Sequence, residues 1–283
     1  MNRIIFMNLI MLSLFTEARQ QKLSLKKALE LNVVKASAQS LGGHADYCMN
    51  MNLKNLISDS LIIIVEAGRR LNSIDDQNQD ILITKEEIIV LMKHEDKWFR
   101  VKGYCCQANN HSPATNAKYD INTLADSNLV KLARYLNSNS FDTNVEQQAI
   151  WAISDKKPTA QITAKNDSLL VPLRQLVANL KDEPLPWYTI ISKTIVFSGG
   201  SMETYPLWLR GKLSYTNDKD CYTTLHILNN KGEEVCQIIK QWALTGGEHI
   251  FDLNIPLKGL AKGKYTIEVN APDKQLVKRE FEI

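Results

Sequence analysis

Apolar positions along this chain change their spacing twice, from short bursts to a helical period and back to short bursts. Residues 47–53 alternate, with Tyr47, Met49, Met51 and Leu53 on one side. Residues 61–65 form an unbroken aliphatic run that ends near Gly68. Further apolar bursts fall at 81–83, 88–92 and 98–104, the last two joined by the polar His94-Glu95-Asp96. Strands at such intervals, linked by turns without helices, predict an antiparallel sandwich or barrel between about residues 32 and 107, and the sandwich is the expected form.

The period changes after Pro113. Leu124, Leu129, Leu132, Ala133 and Leu136 mark a helix over 122–137, and Val145, Ala149 and Ala152 a second over 143–155. A third is expected over 167–180 from Leu169, Leu170, Leu173, Leu176, Val177 and Leu180, with Pro172 near its start, where a missing N–H costs little. Pro184 and Pro186 close this helical section. Seven strands follow, at about 194–197, 207–215, 222–228, 234–242, 249–255, 265–270 and 276–281, which is an immunoglobulin-like pattern. The fold class expected is therefore mainly β: a β-sandwich with a helical cap over 19–187, a linker over 188–200 and an immunoglobulin-like sandwich over 201–283.

Residues 1–18 stand apart. Arg3 opens an apolar run from Ile4 to Phe15 broken by Asn8 and Ser13, and Thr16-Glu17-Ala18 offers small residues where a signal peptidase reads. The run is shorter than the ~20 residues a spanning helix needs, so it predicts a cleaved signal peptide and no transmembrane anchor. The product is expected in secreted form or on the outer cell surface, with the periplasm as the alternative. A net charge of +3 is too small to indicate nucleic acid or an acidic membrane as a partner.

Export permits disulfides, and the five cysteines (Cys48, Cys105, Cys106, Cys221 and Cys236) leave at least one thiol over. Around the turn Asn229-Asn230-Lys231-Gly232 the expected register sets Cys236 across from Leu225, four residues from Cys221. That is roughly 13 Å along a strand, beyond the ~7 Å that a disulfide allows between Cα atoms. Both are expected as unpaired, buried thiols. For the other three, one reading is a disulfide from Cys48 to Cys105 or Cys106, of about 2–4 kcal/mol.

A different reading comes from Tyr104-Cys105-Cys106 and from Gln147-Gln148-Ala149-Ile150-Trp151. These resemble the internal thioester domains of bacterial surface adhesins, which pair an aromatic-Cys motif ending a strand with a Gln-x-Ala-aliphatic-Trp motif on a helix. The resemblance implies a thioester between Cys105 and Gln147, with Trp151 and Tyr104 shielding it and a surface protein or glycan as the partner. Glu146 stands where the family carries an apolar residue. Cys106 and Cys48 are lower-ranked thiols for the same role. The last module resembles FlgD-like and type IX secretion sorting modules, through the Asn-rich turn and through Leu260, Gly263 and Tyr265 in a Leu-x-x-Gly-x-Tyr phrase. That resemblance implies export or envelope machinery as a second partner, and a non-covalent envelope-assembly role as the alternative function.

Other chemistries find little support. No Gly-rich phosphate loop or nucleophile-elbow serine occurs, and His44, His94, His111, His226 and His249 lack metal-ligand spacing. Asp76, Asn78, Asp80 and Glu87 mimic an EF-hand spacing, but Ile81 occupies the position that needs glycine, so a solvated loop is expected. A thiol hydrolase using Cys105 or Cys106 with His111 ranks last, the residues lying too close in sequence for the usual dyad. No enzyme activity, cofactor or metal is expected.

Overall fold

Residues 21–165, 167–197 and 202–283 are described by the computed structural model, and the expected signal peptide, 1–18, lies outside the described residues. The chain is mainly β with several sheets and a few helices. It begins with β1 (Gln21–Ser24), α1 (Leu25–Glu30), β2 (Val34–Ser40), β3 (Ala45–Asn55) and β4 (Leu61–Val65). Then come β5 (Arg69–Ser73), β6 (Ile81–Ile83), β7 (Glu87–Leu91), β8 (Asp96–Cys105) and β9 (Lys118–Leu124). Helices α2 (Ser127–Ser138), α3 (Thr143–Ser154) and α4 (Val171–Leu180) complete the first module.

Six of these strands close a barrel in the order β2-β3-β8-β6-β5-β9, and β1, β4 and β7 form a separate sheet. Closure removes the free edges a sandwich would leave. The strand that achieves it, β9, pairs with both β2 and β5, and it takes up residues 122–124 that the helical period assigns to α2. The helix starts only after Asp126, whose side chain accepts from the N–H groups of Asn128 and Leu129 at 3.0 and 3.1 Å. The expected helix over 167–180 is likewise split. A 3-10 turn, Asp167–Leu170, precedes α4 because the Pro172 ring excludes an α-helical carbonyl one turn earlier.

Two cores meet at β8. Val101 and Cys105 point into the barrel with Met49, Met51, Leu53, Leu71 and Ile81, all buried. Tyr104 and Cys106 point the other way, into a cluster with Leu129, Leu132, Ala149, Ile150 and Leu173 of the helical cap. This two-sided burial is what strand alternation predicts.

The second module has β10 (Tyr188–Val196), β11 (Met202–Asn217), β12 (Cys221–Asn229), β13 (Glu234–Leu244), β14 (Gly247–Pro256), β15 (Lys264–Asn270) and β16 (Gln275–Glu282). They form two sheets, β10-β11-β14 and β13-β12-β15-β16. The sandwich's first strand, expected at about 194–197 at the end of the linker, thus begins already at Tyr188, and fully buried Ile190 fixes it in the core. Gly263 has φ +155°, which favours glycine, and exchanges backbone hydrogen bonds with Ile283 at 3.0 and 3.2 Å. Two residues on, Tyr265 stacks on Phe281 with ring centres 5.5 Å apart. Register shifts in the β12–β13 pair place Cys236 opposite Ile227, not Leu225, and farther from Cys221 than expected. Both thiols are unpaired, but they are half-buried where full burial is expected: Cys236 lies on the edge strand β13, and Cys221 stands at the first position of β12, at the end of the sheet.

Gly103 shows how closely β6 lies on β8. A Cβ added there would meet Ile81 Cγ2 at 2.5 Å and the Leu82 carbonyl oxygen at 3.2 Å. Gly103→Val is expected to lower stability by about 1–3 kcal/mol, as overpacking does, read as a shift in the urea midpoint at constant slope.

Candidate functional site

Where β8 ends, α3 crosses the barrel, and the Cys105–Gln147 pair lies at that crossing. The Asp142 carbonyl opens α3 by accepting from the N–H groups of Val145 and Glu146 at 2.9 and 3.1 Å. A helix sets residues four apart on one face, and here Gln147 and Trp151 share the face toward β8 and the barrel. Trp151 joins the barrel core, while Val145, Ala149, Ile150 and Ala152 pack among the other helices.

The contact is reciprocal. Gln147 Nε2 donates to the Cys105 backbone carbonyl at 2.8 Å, and Cys105 Sγ donates to Gln147 Oε1 at 3.4 Å. Cys105 is 0% exposed and Gln147 4% exposed, so thiol and carboxamide meet out of water. Burial pushes the Cys105 thiol well above its ordinary range, nearby Cys106 adds to the rise, and the Trp151 indole opposes it. The thiol is therefore neutral at physiological pH. Thiol and carboxamide thus meet at hydrogen-bond distance away from water, while the raised pKa holds the sulfur as a thiol and not as the nucleophilic thiolate.

Two further ties fasten α3. Lys102, three residues before Cys105, holds buried Glu146 with its ammonium 3.2 and 3.4 Å from the two carboxylate oxygens. Glu146 thus enters a buried ion pair that locks helix to strand. At the other end, Asp155 accepts from the Ala108 N–H at 2.7 Å. Lys156 then takes a left-handed conformation, φ +56°, and the chain doubles back so that Lys157 N–H bonds the Trp151 carbonyl at 3.2 Å. That turn sets the Lys157 ammonium 4.3 Å from the Trp151 ring centre. Burial lowers the Lys157 pKa, with Asp155 and Cys105 acting against that shift.

The other candidates are held apart from this crossing. Cys106 faces the helical cap, on the opposite side of β8. Cys48 donates its thiol to the Gly103 carbonyl at 3.6 Å. All five cysteines are free, so no disulfide joins Cys48 to Cys105 or Cys106. The bulge in β3 between Asp46 and Met49 gives the Cys48 thiol that carbonyl partner. Tyr104 is fully buried beneath Lys102, whose ammonium lies 5.5 Å from its ring centre, and it shields the cap side of the strand and not the thiol side. His111 is exposed and its backbone binds the 77–79 loop; Cys105 N–H bonds the His44 backbone carbonyl at 2.9 Å, but among the described residues no histidine side chain bonds Cys105 or Cys106. Asp80 is occupied by Arg70, Gln107 and the Ser73 N–H, and no metal-holding cluster of His, Cys, Asp or Glu occurs among the described residues.

Lys102, Asp155 and Lys157 are contributors that sequence reasoning misses. Their only signal is closeness in number to Cys105 and Trp151, which reveals neither the pairing of Lys102 and Asp155 across more than 40 residues nor the turn that brings Lys157 back over Trp151. No protein-family model matches the chain, and comparison with curated proteins gives no match. No helix among the described residues is long and apolar enough to cross a membrane.

Lys102→Met strands the Glu146 carboxylate, and its stability cost is expected on the order of 3 kcal/mol. Lys102→Met combined with Glu146→Leu should recover most of that loss in a denaturant double-mutant cycle. A pH dependence follows from the other two buried thiols. Burial raises Cys48 and Cys106 to about 12 from the ordinary 9.0. The folded protein keeps two protons that the unfolded chain releases above 9, so this stability is full below pH 9 and is lost as pH climbs toward 12. Urea midpoints measured across that window should fall, and replacing both thiols by alanine should flatten the fall.

Proposed function

We propose that this protein is an exported surface adhesion module that captures its target through a thioester between Cys105 and Gln147. The observation that supports this reading is the buried, reciprocal contact between the Cys105 thiol and the Gln147 carboxamide. In formation, Cys105 Sγ bonds to Gln147 Cδ, the Cδ–Nε2 bond breaks, and the thiol proton leaves with the nitrogen as ammonia. In capture, an amine or hydroxyl of the target attacks Cδ, the C–S bond breaks, and the nucleophile's proton returns to sulfur. The target is then held by an amide or ester.

Proximity in a dry site drives the first step, since the neutral thiol offers little thiolate. Charge developing on Gln147 Oε1 needs a donor. The Trp151 indole N–H, one helical turn away and without a hydrogen-bond partner, is available for it. The resemblance of both motifs to adhesin thioester domains supports the same reading, as does the signal-peptide pattern of residues 1–18. The second sandwich, similar to sorting modules, is assigned to docking with export or envelope machinery.

Intact mass spectrometry tests the bond. The protein is expected to be lighter by one ammonia than its sequence requires, and methylamine should add across the link and free one alkylatable thiol. Cys105→Ala or Gln147→Ala should abolish the loss, whereas Cys106→Ala and Cys48→Ala should retain it. A full-length mass with Cys105 free after unfolding would leave the non-covalent envelope-assembly role in its place.

A further inference from the structure

We infer that the second module acts as a size gate on the thioester site, with Ser192 and Thr194 of β10 and Thr204 of β11 deciding which nucleophiles reach it; this rests on the thioester reading. Cys105 and Gln147 are buried, so a target side chain has no path to them in the described arrangement. Trp151 roofs the pair, with Lys157 on its outer ring face. Beyond that roof lies a cavity of about 10 Å³. Trp151, Lys157 and Gln161 wall it on one side, and Ser192, Thr194 and Thr204 on the other. Such a space holds one water at most. A lysine side chain cannot enter it.

The wall from the second module is built by strand geometry. Ser192 and Thr194 are two apart and share a face. Thr204 pairs with Thr194 in register, their hydroxyls 3.1 Å apart. The modules are joined nearby by Thr189 Oγ1, which donates to Asp167 at 3.2 Å, and by Ala160, which is buried in the sandwich core. Within the wall, however, Ser192 Oγ is buried without a hydrogen-bond partner. Closing the modules thus forfeits a hydrogen bond, which lowers the cost of parting them. The closed arrangement leaves no room for an amine, and the opening that methylamine needs is smaller than the one a lysine side chain needs. Capture of a macromolecular amine requires β10 and β11 to move off Trp151.

The test uses full-length protein with Ser192→Arg, and with Thr194→Arg as the control for added charge. Ser192 Oγ is buried, so an arginine there cannot fit the cavity and must prop the modules apart; Thr194 is exposed, and an arginine there turns to solvent. Because β10 is an edge strand, the sandwich tolerates the change. Two probes are timed by intact mass: methylamine and Nα-acetyl-lysine amide. Ser192→Arg should speed reaction with the lysine amide by roughly tenfold or more, and with methylamine much less, as expected when a lid sets access, while Thr194→Arg should stay near the parent rates. Added arginine repels cationic amines, so charge attraction cannot produce the rise. Ammonia loss retained in each variant reports an intact first module. Equal lysine-amide rates in Ser192→Arg and parent, with ammonia loss present in both, would overturn the gate alone. Absence of ammonia loss from the parent would overturn the thioester and the gate with it.

Discussion

The seating of α3 across the end of β8 is the constraint on which the rest of the first module depends. Three polar ties set it: Lys102 to Glu146, Cys105 to Gln147, and Ala108 to Asp155. Each joins groups in or near a dry interior, where an unmade bond costs more than a made one contributes. A slip of α3 by a single residue would break all three and turn Gln147 off the face it shares with Trp151. The ties therefore act as a register device. They hold a carboxamide against a thiol with little freedom, the kind of positioning from which intramolecular reactions gain most.

The sequence shows parts of this arrangement and hides others for a physical reason. Period-two alternation already separates Cys105 from Cys106 on β8, and the helical period already puts Gln147 four residues before Trp151. Local periodicity reports which way a side chain faces, so these readings carry over into the fold. The closure of the barrel is hidden, because β9 is recognised only by its partners β2 and β5, which are distant in sequence. Residues 122–124 carry no feature that tells a strand from the first turn of a helix. Residues 188–193 read as linker alone for the same reason: Ile190 becomes a core residue only when β11 lies beside it. The Lys102–Glu146 pair is hidden most deeply, since a charged residue inside a helical apolar pattern looks like a solvated one.

The departure at Glu146 also bears on what the adhesin resemblance means. An apolar side chain at that position would pack without direction. An ion pair adds direction, at the cost of desolvating two charges that a hydrophobic pair would avoid. The chain therefore fastens the helix next to Gln147 by orientation as well as by volume. Lys102 is also one strand position from Gly103, where β6 lies too close for a side chain, so the strand is fixed from both sides just before Cys105.

Burial of Cys105 works in two directions on the thioester reading. Water is excluded, so hydrolysis lacks its nucleophile. The raised thiol pKa also makes the thiolate a costly leaving group, which slows any attack that does get through. Both protections come from the same desolvation, and both vanish together once the roof over the pair opens. Exposure brings the target's nucleophile in and lowers the cost of expelling sulfur at the same moment. A link built this way stays intact while closed and becomes reactive on opening, with no additional catalytic group needed to switch it. Trp151, at once a core residue of the barrel and a wall of the inter-module cavity, is where those two states are divided.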